Sequence, residues 1–188
     1  MKNLSWAHKN FHISYFHIIM TYFELFELPV SLKIDKTFLT KKYFELQKKY
    51  HPDFFTKATE EEQADVLEKS SMVNKAYKTF QNQDETIKYV LMQKGLLEEE
   101  EKYQLPPDFL MEMLELNEGI SDAKIEDDAE KISDFKNQIA SITNEIYEPV
   151  EQIVEGYKEG ATTEKELLQV KEYYYKQKYL NRILAGLH

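Results

Sequence analysis

The chain has 188 residues, of which 42% are hydrophobic and 31% are charged, and its formal net charge is -10. Such acidity argues against general nucleic-acid binding, and the absence of cysteine excludes disulfides, cysteine-ligated metals and a thiol nucleophile. No apolar run approaches the length of about 20 residues that a membrane-spanning helix needs. We therefore expect no membrane partner and a soluble protein, and we place it in the reducing cytoplasm. Glycine and proline number five each, which favours long helices.

Residues 1–20 differ in composition from the rest, because no acidic residue precedes Glu24. We expect them to form an added or loosely docked extension, with Met20 as a candidate alternative start. His8 and His12 are four residues apart and could share a metal on one helical face. Because the sequence offers no obvious third ligand, we predict no metal site and no cofactor.

A basic helix is predicted from Lys36 to Tyr50, capped at its start by Asp35. Apolar residues recur along it at i, i+4, i+7 and i+11 and predict a buried stripe: Leu39, Tyr43, Leu46 and Tyr50. Lysines cover much of the remaining surface: Lys41, Lys42, Lys48 and Lys49. Such a run is usually only a solvated face, but here it leads directly into His51-Pro52-Asp53.

The tripeptide His51-Pro52-Asp53 should begin a loop between two helices, because proline disfavours helix for the residue before it. Thr59 and Glu62 fit a capping box that starts the second helix. Its apolar side should pack against the basic helix in a helical hairpin; that side consists of Val66, Val73, Tyr77 and Phe80. A short helix over 84–94 should end at Gly95.

An acidic connector with two prolines follows over residues 96–107, and three helices are predicted near 108–123, 127–158 and 163–187. Pro149 should kink or divide the second of them. The predicted fold is all-α, with an N-terminal helical hairpin and a C-terminal three-helix bundle. We expect the connector to be packed.

The first helix after the connector carries two sets of apolar residues. One stripe is enough to bury the helix in a bundle: Phe109, Met113, Leu116 and Ile120. A second set lies around the adjacent face: Leu110, Met111, Leu114, Glu115 and Glu118. The second set could be a wider core contact. It could also be a groove for a partner, with leucines and methionine for contact and glutamates for steering.

Four segments together resemble the HscB family, the J-type co-chaperones of iron–sulfur cluster assembly: TYFELFELP, KKYFELQKKYHPD, SSMVNKAYKTF and DFLMEMLELNEGI. The resemblance runs from about Thr21 to the C-terminus and is strongest over 21–53 and 70–120. It implies a J-domain over 21–95, the connector over 96–107 and a scaffold-binding domain over 108–188, after the extension 1–20. The FLMEMLEL motif separates this family from other J-proteins.

The resemblance implies two partners and no enzymatic activity of the chain itself. His51, Pro52 and Asp53 match the loop that acts on a DnaK/HscA-type chaperone. The basic helix would dock on an acidic surface of that chaperone through Lys41, Lys42, Lys48 and Lys49. The first C-terminal helix would bind the scaffold protein IscU through Leu110, Met111, Leu114, Glu115 and Glu118. On the last helix, Tyr175 is the best match for a contributing aromatic.

Three other interpretations compete with this one. An enzyme could use His51 and Asp53 as an acid–base pair, but no third group, phosphate loop or metal set accompanies them. A generic J-domain co-chaperone could serve another client, against which the FLMEMLEL helix argues. A purely structural helical bundle would leave the basic helix and its tripeptide without a role.

Overall fold

The structure is a computed structural model that describes residues 20–187. Within them the chain forms seven α-helices, one short 3-10 helix and no strand, which confirms the predicted all-α class. The 3-10 helix is Pro52–Phe55. The α-helices are α1 Tyr22–Leu25, α2 Lys36–Lys49, α3 Glu60–Gln81, α4 Gln83–Gln93, α5 Pro107–Ile125, α6 Ala129–Gly156 and α7 Glu164–Ala185.

The described chain divides into two compact units. The first holds residues 20–30 and 34–82, and the second holds 31–33 and 83–187. Helix α4, which we assigned to the first domain, packs against α7 inside the second unit. The predicted domain limits at 20, 95 and 107 remain a prediction.

The first unit is a hairpin of α2 and α3 with α1 packed on α3. Asp35 accepts hydrogen bonds from the backbone N–H groups of Thr37 and Phe38, and Thr59 and Glu62 form the capping box. Both predicted helix starts are therefore confirmed. Leu39 and Leu46 of α2 are buried. The caps thus set the starts of α2 and α3, and the loop with His51-Pro52-Asp53 lies between the two helices.

Aromatic rings complete the hairpin interior. Phe80 of α3 is buried, and Phe23 and Phe26 lie against its ring, with centroid separations of 4.7 and 5.7 Å. Tyr43 of α2 stacks on Tyr77 of α3 at 3.9 Å. Such pairs add about 0.5–1.5 kcal/mol each beyond the area they bury, so they help to hold both the α1 segment and α2 against α3.

In the second unit, α5, α6 and α7 form the predicted three-helix bundle. Its core includes the whole first stripe of α5, Phe109, Met113, Leu116 and Ile120. Helix α5 approaches α6 closely at Gly119, where an added Cβ would lie 2.6 Å from a ring carbon of Phe135. Helix α6 runs without interruption across Pro149, so proline does not divide it. Burial of Val150 and Val154 holds the segment beyond the proline in place.

Helix α4 has a defined end and a hydrogen bond to α7 at its start. Helix α4 ends at Gln93 and is terminated by Gly95, as predicted: Gly95 has a φ of 68°, and the backbone N–H groups of Leu96 and Gly95 donate to the carbonyls of Leu91 and Met92. This is the Schellman arrangement, in which glycine accepts a left-handed backbone at low cost. At the start of α4, Asn181 of α7 donates to the Asp84 carboxylate at 3.1 Å. Burial raises the pKa of Asp84 above its ordinary value.

Candidate partner-binding surfaces

The His51-Pro52-Asp53 loop projects from the end of the α2–α3 hairpin. Helix α2 ends at Lys49, and the 3-10 helix begins at Pro52, with His51 as its N-cap. The Asp53 side chain is 83% exposed, and His51 is half exposed. The proline fixes the backbone at the first position of the turn, so the carboxylate is held outward on a short, defined element.

His51 contributes a hydrogen bond to the shape of this loop. Its Nδ1 accepts from the backbone N–H of Asp53 at 3.3 Å and lies 3.7 Å from an Asp53 carboxylate oxygen. Because an accepting Nδ1 needs its lone pair, the ring proton of the neutral imidazole lies on Nε2. The imidazole thus orders the backbone that carries Asp53. Within residues 20–187, no hydrogen bond or ion pair joins a third ionisable side chain to His51 and Asp53.

Phe54 follows the tripeptide and is 69% exposed. Its ring centroid lies 5.6 Å from that of His51. Phe44, on α2, is also largely exposed. These two aromatics escaped sequence analysis, because they lie outside the buried stripe and no local signal separates an exposed phenylalanine from a core one.

The four lysines of α2 differ in how free their charges are. Lys41 and Lys48 are exposed and seven residues apart, so they lie on one face. Lys42 donates to Glu27 and its side chain is only 16% exposed. That hydrogen bond, reinforced by the charge of Lys42, lowers the pKa of Glu27. Lys49 lies 5.1 Å from the centroid of the Tyr50 ring. Among these four lysines, Lys41 and Lys48 therefore offer the most accessible positive charges.

The second set of residues on α5 faces solvent. Leu110 is 42% exposed, Met111 64% and Leu114 58%, and Glu115 and Glu118 are also exposed. The wider core contact considered above is therefore wrong for this face, since the Phe109 stripe alone supplies the core. Three large apolar side chains within five residues form an exposed patch of the kind that marks interaction sites. We call Leu110, Met111 and Leu114 with the two glutamates the α5 strip.

Tyr175 makes its ring contacts inside the second unit. Its ring stacks on Tyr103 of the connector, and its hydroxyl donates to Glu101 at 3.4 Å. The α7 ring that meets α5 is Tyr179, which lies edge-to-face on Phe109 at 6.1 Å. The structure thus brings Tyr179 to α5 and fastens Tyr175 to the connector. A scaffold contact by Tyr175 remains a prediction.

The sequence analysis also considered membrane spans and a histidine metal pair. Within residues 20–187, no helix has both the length and the apolar character needed to cross a membrane. His8 and His12, considered above as a metal pair, lie outside the described residues.

Comparisons with known proteins cover most of the chain. A family model described as the HSCB C-terminal oligomerisation domain matches residues 105–188. A co-chaperone protein HscB homolog of Psychromonas ingrahamii is 38% identical over 132 residues, which cover 68% of this chain and 78% of that protein. The corresponding homolog of Vibrio parahaemolyticus is 33% identical over 135 residues, covering 71% and 79%.

Solved structures agree with these relatives. The crystal structure of human co-chaperone protein HscB has a TM-score of 0.75 and 25% identity, covering 90% of this chain and 81% of that one. Chaperone HscB from Vibrio cholerae, with a TM-score of 0.70 and 23% identity over 89% and 95%, shares the fold. An N-terminal J-domain with a C-terminal helical bundle is the architecture of these proteins. The resemblance found in the sequence is confirmed, and the chain belongs to the HscB co-chaperone family.

Proposed function

We propose that this protein stimulates the ATPase of a DnaK/HscA-type chaperone and delivers an IscU-type scaffold protein to it during iron–sulfur cluster biogenesis. The observation that carries the proposal is the presence of two exposed surfaces on two units. The first unit presents the His51-Pro52-Asp53 loop, and the second presents the α5 strip. A co-chaperone that links one partner to another needs two such surfaces. In this proposal the chain itself only binds its partners, and the chaperone catalyses the hydrolysis of ATP.

On the chaperone side, Asp53 is the group that makes the decisive contact. A carboxylate held outward on a short turn can pair with a cationic side chain of the ATPase domain, and charge-assisted bonds of this kind are strong. Lys41 and Lys48 would steer the approach toward an acidic surface. Stimulation follows if the loop binds the hydrolysis-competent arrangement better than the resting one. The absence of cysteine is compatible with the reducing cytoplasm, where we place this function.

On the client side, the α5 strip supplies apolar contact and negative charge. Leu110, Met111 and Leu114 would bury against an apolar surface of the scaffold, and Glu115 and Glu118 would face basic groups on it. Because both surfaces belong to one chain, a bound scaffold reaches the chaperone at a raised effective concentration. Delivery and ATP turnover are thereby coupled.

Two variants test whether the surfaces are separable. His51→Gln should abolish ATPase stimulation and leave scaffold binding intact. Replacing Leu110, Met111 and Leu114 by alanine should abolish scaffold binding and leave stimulation in the absence of scaffold intact. Ile125→Ala is a matched control on the same helix, because Ile125 is 81% exposed but lies outside the strip. A folded variant that loses both activities would contradict two separable sites.

A second candidate function is a generic J-domain co-chaperone that serves another client. The same experiment distinguishes it. Stimulation that depends on His51, together with no measurable binding of an IscU-type scaffold by the wild type, would favour the generic role.

A further inference from the structure

A shallow cleft lies between α5 and α7 beside the α5 strip. It is lined by Asn117 of α5 and by Tyr179, Arg182 and Ile183 of α7, and its volume is about 290 Å³. Leu110, Leu114 and Asn117 follow one another at i, i+4 and i+7, so they share one face of α5. The cleft therefore continues the exposed apolar face of α5 onto α7.

Arg182 provides the charge at this cleft. It is the only arginine of the sequence and it is exposed. Its guanidinium carbon lies 5.1 Å from the ring centroid of Tyr179, and no carboxylate of residues 20–187 lies within ion-pair distance of it. A guanidinium that rests near a ring loses less freedom when it binds, and its planar fork matches a carboxylate in two parallel hydrogen bonds. Arg182 is thus positioned to bind an acidic group, and residues 20–187 do not supply one.

The Tyr179 ring beside Arg182 is itself held in place by the bundle. The edge-to-face contact with buried Phe109 joins Tyr179 to the bundle core. At the other side of the cleft, the Asn117 amide nitrogen donates to the Met113 carbonyl at 2.7 Å. The amide oxygen of Asn117 then remains as an acceptor for a partner. The cleft combines a fixed cation, an aromatic wall and an acceptor.

The two helices that flank the cleft carry exposed charges of opposite sign. Glu115 and Glu118 lie on α5, and Arg182 lies on α7. A partner that covers both must place basic groups opposite the glutamates and an acidic group opposite the arginine. Such a pattern fixes the orientation of a bound protein, because the reversed orientation brings like charges together.

We propose that Arg182, on the α7 side of this cleft, receives a carboxylate of the scaffold protein that binds the α5 strip. This inference rests on the proposed function, since it assumes that a scaffold protein binds the α5 strip. It assigns a specificity-determining residue to that surface and defines the chemistry of the group it recognises.

A simpler role for Arg182 is to place positive charge in the last turn of α7, where the helix dipole favours it. Lysine would serve that role equally well, because it keeps the charge. Lysine cannot reproduce the bidentate fork. The variant Arg182→Lys therefore separates a recognition role from a stabilising one.

The test is calorimetric titration of an IscU-type scaffold into the full-length wild type, Arg182→Lys, Arg182→Glu and a control. The control is Lys165→Glu, which changes an exposed charge in the first turn of α7, far from the cleft. We expect weakening of about 5-fold for Arg182→Lys and about 50-fold for Arg182→Glu. Lys165→Glu should change the dissociation constant less than about 2-fold, and melting temperatures should stay within a few degrees of the wild type.

The outcomes separate this inference from the proposed function. If the wild type binds scaffold, and Arg182→Glu binds equally well, the assignment of Arg182 is overturned while the α5 strip stands. If the wild type does not bind scaffold, the proposed function itself fails and this inference falls with it. Restored binding of Arg182→Glu by one acid-to-lysine change on the scaffold would identify the recognised carboxylate.

Discussion

The rings of Tyr103 and Tyr175 stack face to face, with their centroids 4.4 Å apart and their planes 1° from parallel. Lys171, which is largely buried, donates to Glu101 at 2.6 Å, and Glu101 also accepts from the Tyr175 hydroxyl. Burial and the neighbouring Glu101 carboxylate raise the pKa of Tyr175 to about 12, so the hydroxyl keeps its proton. These contacts fasten the connector to α7, as the expectation of a packed connector requires.

Removal of the Tyr175 ring should loosen the connector. We expect Tyr175→Ala to lower the free energy of unfolding by about 2 kcal/mol, through lost stacking and packing. Tyr175→Phe keeps the ring and should cost about 0.5 kcal/mol, because the hydrogen bond to Glu101 is long. Urea unfolding measures both values, and limited proteolysis over 96–105 reports the connector directly. Equal protease resistance in Tyr175→Ala and wild type would contradict this role.

The Glu101–Lys171 pair should make connector stability depend on pH. The hydrogen bond from Lys171 lowers the pKa of Glu101 below its ordinary value of 4.5. A carboxyl group whose pKa is lower in the folded state than in the unfolded state stabilises the protein at pH values above its unfolded-state pKa. That stabilisation is lost as the pH falls through its folded-state pKa. Glu101→Gln should therefore cost about 1 kcal/mol at pH 7, and the difference from wild type should shrink below about pH 4.5.

The control for this measurement is Glu99→Gln, which removes an exposed carboxylate from the same acidic run. It should leave the free energy of unfolding within about 0.5 kcal/mol of wild type at both ends of the pH range. A cost of Glu101→Gln that is the same at about pH 7 and at about pH 3.5 would show that the pair does not carry the effect.

The lysines of α2 should contribute unequally to chaperone stimulation. Lys41→Gln with Lys48→Gln removes two exposed charges and should raise the concentration for half-maximal stimulation about 10-fold at low salt. Lys42→Gln should raise it less than about 2-fold, because the Lys42 charge is already paired with Glu27. The measurement is a titration of each variant in a steady-state ATPase assay at two salt concentrations. A Lys42 effect as large as that of the Lys41/Lys48 double variant would contradict this ranking.

Local rules predicted much of the fold. The helix starts at Asp35 and Thr59 and the helix end at Gly95 are decided by residues within a few positions of each other. The buried stripe of α5 follows from helical periodicity alone, whereas periodicity left open whether the second face is a core contact or exposed to solvent. These features depend on neighbours in sequence, and a single sequence contains them.

Contacts between distant residues escaped prediction. The docking of α4 on α7 through Asp84 and Asn181 joins positions 97 apart, and periodicity cannot reveal which helix a given face will meet. Three consecutive tyrosines left the orientation of α7 open, and the structure places Tyr175 on the connector. The isolated arginine at position 182 was visible in the sequence, but its position beside the α5 strip depends on bundle geometry.

The most direct test of the account is steady-state ATP hydrolysis by the cognate DnaK/HscA-type chaperone, with and without IscU-type scaffold. Wild type and His51→Gln are compared side by side, because this substitution removes the imidazole that orders the Asp53 backbone. We predict stimulation by wild type that grows further when scaffold is added, and none by His51→Gln. Absence of stimulation by wild type under every condition would contradict the central claim.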